Sequence, residues 1–243
     1  MPSAIARQLK NAFHEWWRER VRAAGALPTA SLLLRELWGF ARDSTPERRR
    51  SRYGDMDFDW QYRVNTTSGS VGWRERLLGI FLSPYMPTDP AQFQEMMAAL
   101  PVDFRRFTFI DVGCGKGRAL LMASEYPFRR IVGVEILPSL SQAASGNTRD
   151  YKSPTQQCSQ VEVVCADARN FELPPEPLVL YLFNPLPEPA LREFTARLED
   201  SLTRFPREVW LVYCNPLLEE AVARSRAFQK ISTPQHFSIF TTA

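Results

Sequence analysis

Three acidic residues and three closely spaced glycines are the side chains and turns most suited to chemistry in this sequence. Asp111 stands near the end of the apolar run FTFIDV, and Gly113, Gly115 and Gly117 follow it at every second position before a helical stretch opens at Arg118. A strand, a glycine turn and a helix make the first βα corner of a parallel sheet. Glycine there takes positive φ and lets a ligand approach the backbone, while the helix N-terminus offers unpaired amides to a carboxylate or phosphate. Glu135 closes the next apolar run 20 positions beyond Gly115, where a carboxylate can accept both hydroxyls of a ribose. Asp167, in CADAR after a third run, can accept from the amino group of adenine. The three corners together fit an adenosine that bears a short charged tail. A dinucleotide is disfavoured, because GxGxxG counted from Gly113 needs glycine or alanine at the position held by Arg118.

These segments, FIDVGCGKGR, IVGVEI, VVCADA and LYLFNP, resemble the successive motifs of class I S-adenosylmethionine-dependent methyltransferases, over roughly Pro84 to the C-terminus. The resemblance extends to bacterial methyltransferase-domain proteins of unassigned substrate that pair a YxPT-like segment with GCGKGR, here Tyr85-Met86-Pro87-Thr88. It implies S-adenosylmethionine as cofactor, with Asp111, Gly113 and Gly115 at its methionine part, Glu135 at the ribose and Asp167 at the adenine. Cys114, Gly117, Ile136, Ala168, Asn184, Tyr85 and Thr88 complete the implied binding set. Thr88 is open to two readings, a contact to the cofactor carboxylate or a cap on the helix beginning near Pro90. Lys116 and Arg118 read as solvated surface charges. Cys114 and Cys165 read as small fillers, since nothing near them in sequence would activate a thiol.

Methyl transfer from a sulfonium requires an acceptor lone pair held in line, and the residues for that task belong after the fourth strand. That strand ends in Phe183-Asn184-Pro185-Leu186-Pro187. Asn184-Pro185 resembles part of the NPP(Y/F) motif of methyltransferases acting on amide or exocyclic amino nitrogens, in which the asparagine side chain and the proline carbonyl accept from the target amine. Leu186 and Pro187 depart from that motif. The competing reading is a turn out of the strand, and Asn215-Pro216 repeats the dipeptide after strand five. A second place to look is DMDFDWQYRVNTTSGS, Asp55 to Ser70, either a lid with Tyr62 or Asp59 facing an acceptor or a solvated linker. The candidate catalytic residues are therefore Asn184, Pro185 and Tyr62. The resemblance of YMPT and GCGKGR to seven-strand protein lysine methyltransferases makes an amine nitrogen of a protein or small molecule the first acceptor class and a nucleic-acid base the second. A non-catalytic S-adenosylmethionine-binding module is the rival outside enzymology. An aminopropyltransferase would need an acidic polyamine site, which is not evident.

The elements that must position these residues follow from periodicity. Apolar runs at Phe107–Val112, Ile131–Glu135, Val161–Cys165, Leu178–Phe183 and Glu208–Cys214 alternate with helical patterns at Arg118–Tyr126, Ser139–Arg149 and Glu188–Leu202. Two further runs, Phe228–Ser232 and His236–Thr241, have only Thr233 and Pro234 between strand signals and predict an antiparallel hairpin. The expected fold is α/β, a seven-stranded, doubly wound, mostly parallel, Rossmann-like sheet with an antiparallel last strand. Upstream, Ile5, Leu9, Phe13 and Trp16 mark one amphipathic helix, Leu33, Leu37 and Phe40 a second, and Ala91–Leu100 a third. Residues 1–90 are thus expected to form a helical extension or cap, and 91–243 the cofactor-binding domain.

Composition bounds the rest. With 243 residues, 44% hydrophobic and 23% charged, the chain can bury one full core and is not disordered. Net charge is +3, but residues 1–54 hold 11 Lys+Arg against 5 Asp+Glu, which leaves the remainder at 19 against 22. The basic excess, with Trp16 and Trp17 among arginines and the run Glu47–Arg52, suits either an arm for RNA, DNA or an anionic membrane surface, or a helix packed by its apolar face; the aromatic spacing favours packing. Four cysteines without CxxC spacing read as free thiols, and His14 and His236 have no metal-ligand company, so no metal site is expected. The apolar stretch Ala23–Leu34 is interrupted by Pro28 and too short for a membrane span, and a cytoplasmic protein is the expectation.

Overall fold

The computed structural model describes residues 4–43, 56–67, 77, 85–231 and 236–242. These fall into two compact units. One comprises Met1–Asp57 and Thr67–Met86, the other Phe58–Thr66 and Pro87–Ala243. The short stretch Phe58–Thr66 therefore groups with the sheet, not with the helical segments that flank it in sequence. The basic run Glu47–Arg52 and the strand-linking Thr233 and Pro234 lie outside the described residues, as do Asp55 and Gly69.

In the smaller unit, α1 (Ala4–Ala24) and α2 (Ala26–Asp43) are separated by Gly25, whose φ of +88° reverses the chain where most side chains would be strained. Its amide closes α1 on the Val21 carbonyl at 2.9 Å. Pro28 sits in the first turn of α2, where its missing N–H has no helical partner to lose.

The larger unit begins with α3 (Met56–Tyr62) from residue 58 onward, and continues through α4 (Pro90–Ala98) to the sheet. Its strands are β1 (Thr108–Val112), β2 (Arg130–Glu135), β3 (Val161–Cys165), β4 (Leu178–Leu182), β5 (Val209–Cys214), β6 (Phe228–Ile231) and β7 (Phe237–Thr242). The order is β3-β2-β1-β4-β5-β7-β6, with β1 to β5 parallel and β7 antiparallel to both β5 and β6. This is the expected seven-stranded doubly wound sheet, and its terminal hairpin is antiparallel as the short connection required. Between strands lie α5 (Arg118–Ala123), α6 (Pro138–Asp150) and α7 (Glu188–Arg204), and α8 (Glu219–Ala223) follows β5.

Both faces of the sheet are covered, so β1 and β4 are buried at every position, and β4 reads as an unbroken apolar run. On one face Phe109, Tyr181 and Val212 pack with Phe93, Met96 and Met97 of α4 and Leu120 of α5. On the other, Ile110, Leu180 and Leu211 pack with Leu191, Phe194 and Leu198 of α7. The register places Asp111 of β1 directly beside Tyr181 of β4 and Val134 of β2 beside Val112. Because β2 and β4 lie on opposite sides of β1, the chain leaves β1 at the point where strand order reverses, which is where open α/β sheets carry their ligand crevice at the carboxyl ends of the strands.

Candidate active site

The loop after β1 is shaped by its glycines. Gly113, Gly115 and Gly117 have φ of +76°, +55° and +84°. At Gly113 a Cβ would stand 2.4 Å from Cβ of Pro185, so the glycine turn of β1 and the proline turn of β4 meet there. The amides of Gly113 and Cys114 donate to the Val134 carbonyl at 2.8 and 3.0 Å, which ties the loop to the end of β2. Gly117 then caps α5 without help from a side chain.

Glu135 is buried at the end of β2, and its two carboxylate oxygens accept from the amides of Gly115 (2.9 Å) and Leu137 (2.8 Å). Burial raises its pKa, and the backbone donors offset part of that rise. Asp111 is only 4% exposed. Burial and the neighbouring Glu135 charge push its pKa well above the ordinary aspartate range, and no described residue donates a hydrogen bond to offset this. Two buried carboxylates facing one crevice, one of them lacking a donor, form a site suited to a ligand that brings a positive charge and hydroxyls.

The remaining expected cofactor residues line up less uniformly. Asp167 follows β3, but both of its oxygens already accept from Arg169, with Nη2 to Oδ2 at 2.7 Å and the backbone amide to Oδ1 at 2.9 Å. Burial alone would raise its pKa, yet these bonds and the Arg169 charge bring it below the ordinary value. Ala168 is buried, and Ile136 is exposed at the mouth of the corner. Thr88 does not cap α4. Asp89 does, accepting from the Gln92 amide at 3.0 Å ahead of Pro90, while the Thr88 hydroxyl pairs with the Tyr181 hydroxyl at 2.7 Å. Tyr85 is half-buried and belongs to the smaller unit.

Several expectations require correction. Lys116 and Arg118 are not solvated: they are 4% and 1% exposed. Arg118 Nη2 lies 3.3 Å from Asp59 Oδ1, its Nε donates to Thr66 Oγ1 at 2.6 Å, and its guanidinium carbon stands 5.0 Å from the Phe58 ring centre. Asp59 therefore faces a guanidinium, and the stretch around it is packed, neither a solvated linker nor a lid over an acceptor. Tyr62, expected as a catalytic residue, packs in an aromatic cluster. Its ring lies against Phe58 and Tyr151, with centroids at 4.8 and 5.0 Å. Tyr151 follows the C-terminal end of α6 and donates to Glu125 beyond α5, so this cluster sits where those helices end, away from their cleft-facing starts. Cys114 is a buried filler whose thiol is pushed up by burial, whereas Cys165 is exposed.

Asn184 takes φ +47°, and so does Asn215. Asn184 Oδ1 accepts from the Tyr213 hydroxyl (2.9 Å) and the Leu217 amide (3.3 Å), while Nδ2 donates to the Asn215 carbonyl (2.6 Å). The side chain thus ties the turn after β4 to the turn after β5. Pro185 packs on Gly113. Sequence reasoning missed Tyr181, Tyr213 and Asn147. Tyr181 and Tyr213 each carried a signal, as the single hydroxyl within an apolar strand.

Residues 109–204 match a family model described as "Methyltransferase domain". The matched segment runs from β1 to the end of α7 and takes in the glycine turn, Glu135 and Asp167. No curated protein matches it. Among solved structures, it is similar to an RNA methyltransferase from Salinibacter ruber in complex with S-adenosyl-L-homocysteine (18% identity, 65% of this chain and 92% of that one, TM-score 0.44). It is also similar to the putative methyltransferase yhhF from Escherichia coli (16% identity, 65% and 89%, TM-score 0.48). A predicted N6-adenine-specific DNA methylase from Listeria monocytogenes shares 14% identity over 65% of this chain and 51% of that one, with a TM-score of 0.48. Among the described residues, no helix is long and apolar enough to cross a membrane, and no cluster of His, Cys, Asp or Glu could hold a metal ion.

Proposed function

We propose that this protein is an S-adenosylmethionine-dependent methyltransferase that acts on an amine nitrogen of a protein or a small molecule. The observation that carries the cofactor half of this reading is the buried carboxylate of Asp111 beside Glu135, to which no described residue donates. S-adenosylmethionine supplies an electrophilic methyl on a sulfonium and, at its amino-acid end, an ammonium. Asp111 would pair with that ammonium, and the open backbone at Gly113 and Gly115 would let the amino-acid end lie against the loop. Glu135, fixed by the Gly115 and Leu137 amides, would accept the ribose hydroxyls through its remaining lone pairs. Ile136, Asp167 and Ala168 would border the adenine.

Two features support an amine acceptor. Residues 55–243, which include the sheet, carry 19 Lys+Arg against 22 Asp+Glu, a balance that favours a cationic substrate over a polyanionic nucleic acid. The Asn184 carbonyl oxygen already accepts two hydrogen bonds within the protein, which weighs against the amide-and-proline grip that a base methyltransferase would need there. Nucleic acid binding by the basic N-terminal residues would then serve docking, not the methyl acceptor.

The test begins with calorimetric titration by S-adenosylmethionine and S-adenosylhomocysteine, with NADH as control. Transfer of labelled methyl into cell extract follows, divided by protease treatment, nuclease treatment and filtration. Label lost to protease or found in the low-mass filtrate sustains an amine acceptor. Label lost to nuclease moves the assignment to a base, and cofactor binding without label in any fraction identifies a non-catalytic module.

A further inference from the structure

A buried polar cluster of the described residues lies against the glycine loop, and it joins Asp59 to Arg118, 59 positions apart. Asp59 accepts from Arg118 through Oδ1 and from the Thr66 amide through Oδ2 at 2.7 Å, and the Thr66 hydroxyl donates to it in turn. One residue earlier, the Asn65 amide donates to Asn147 Oδ1 at 2.9 Å, and Asn147 Nδ2 donates back to the Asn65 carbonyl at 3.0 Å and to the Lys116 carbonyl at 2.9 Å. Lys116 Nζ reaches Asn65 Oδ1 at 3.3 Å. The loop is therefore held from two sides. Glu135 holds the Gly115 amide from the crevice side, and Phe58–Thr66 holds Lys116 and Arg118 from the outer side.

We propose that Asp59, Thr66, Asn147 and Arg118 are positioning residues for the cofactor site, so that seating of the Phe58–Thr66 strap and binding of S-adenosylmethionine are coupled. The inference rests on the cofactor reading above. Its physical basis is the loop itself: three glycines at positive φ give residues 113–117 many competing conformations, and a ligand that needs one of them loses affinity in proportion to the others. Arg118 opens α5 directly after the last glycine, so fixing its guanidinium fixes the point where the glycine loop ends and the helix begins. The pair is buried, with side-chain exposures of 1% for Arg118 and 10% for Asp59, so water does not substitute for either partner. Burial also pushes Arg118 down to about 10, which leaves it cationic at neutral pH. None of the four residues needs to touch the cofactor. Reciprocity requires that if the strap improves cofactor binding, the cofactor slows opening of the strap by the same factor.

Hydrogen exchange on the full-length protein, with and without saturating S-adenosylmethionine, reads that factor. The amides of residues 59–66 are expected to exchange about tenfold more slowly with cofactor bound, and Asp59→Asn to bind S-adenosylmethionine about tenfold more weakly while keeping a native circular dichroism spectrum. Arg118→Met should match it, and the double variant should be no weaker than either single one. A pair serving stability alone would lower the unfolding midpoint yet leave the affinity of the folded protein within twofold and the strap indifferent to cofactor, and that result overturns the proposal. Should Asp59→Asn not fold, Asn147→Ala removes only the bridge between Asn65 and Lys116 and is judged by the same two readings. If the wild-type chain binds neither S-adenosylmethionine nor S-adenosylhomocysteine, the cofactor reading fails on its own. The strap is then decided by whether the same variant speeds exchange of the amides of residues 115–118 in the unliganded protein.

Discussion

The corners after β1 and β4 are neighbours across the switch point of one sheet, both turn through positive φ, and they treat their polar side chains in opposite ways. At the end of β1, Asp111 is buried and no described residue donates to it, while Glu135 accepts from the backbone amides of Gly115, Leu137 and Ile136. After β4, Asn184 gives both its oxygen and its amide hydrogen to Tyr213, Leu217 and Asn215. A buried polar group without an internal partner is costly to keep, so its retention points to a ligand. A side chain fully engaged within the protein points to architecture. We read the first corner as a binding site and the second as a brace that holds Pro185 against it.

The variant expected to break this arrangement most severely is Gly113→Ala. It places a side chain at φ +76° and a Cβ 2.4 Å from Pro185, so both corners must shift at once. Left-handed strain of about 1–2 kcal/mol and overpacking of about 1–3 kcal/mol together predict a loss near 3 kcal/mol in urea unfolding, with cofactor binding lost. A destabilisation below about 1 kcal/mol would mean that the two corners are not in firm contact. Next in size is Glu135→Ala, which removes charge-assisted hydrogen bonds and should weaken S-adenosylmethionine binding by about 1.5–3 kcal/mol in calorimetry. Unchanged affinity in a folded variant would overturn the ribose assignment.

How far the sequence disclosed this depended on whether the information was local. Val161–Cys165 is the strand its residues predict, and the other strand ends shift by a residue, because an apolar run bounded by turn residues has few ways to be buried. The glycine loop was legible for the same reason. The five-residue α8 was not, since so short a helix has no periodicity to read. Burial of Arg118 was invisible locally: its carboxylate partner sits 59 residues upstream, and a lone arginine after a glycine looks like a surface charge until Asp59 is brought to it. Other misses had local signals. The order Asp89-Pro90 marks an N-cap ahead of a proline at the first helical position, which assigns the cap to Asp89 and leaves Thr88 for Tyr181. Likewise Arg169, two residues after Asp167, was close enough to anticipate as its partner.

A milder change sharpens the contrast through pH. Asp111→Asn keeps the shape of the first corner but not its charge, so it should weaken cofactor binding by about 1 kcal/mol, the difference between a charged and a neutral hydrogen bond. The same variant should unfold at a higher temperature than wild type in the absence of cofactor at neutral pH, because it removes a buried carboxylate. Since the folded-state pKa of Asp111 lies above the ordinary aspartate value, between those two values the folded chain holds a proton that the unfolded chain has released. The contribution of Asp111 to unliganded stability therefore falls as pH rises through that window, and cofactor affinity moves the other way, because the ionised carboxylate is what pairs with an ammonium. A wild-type affinity that does not rise with pH relative to Asp111→Asn would remove Asp111 from the site.

The smallest functional effect belongs to the brace. Asn184→Gly preserves φ +47° while removing all three side-chain hydrogen bonds, so backbone strain cannot confuse the result. Loss of bonds at a half-buried turn, with the Tyr213 hydroxyl left without its acceptor, predicts about 1 kcal/mol of destabilisation in urea. Cofactor affinity should stay within twofold, because nothing in the first corner has moved. On an acceptor found by the labelling experiment, kcat should change by less than about tenfold, whereas a residue that holds the reacting nitrogen or its proton in the transition state gives a loss of about 10²–10⁴. A loss of that size with unchanged cofactor affinity would mean that the asparagine exchanges its internal partners for the substrate during turnover, making the second corner part of the catalytic machinery.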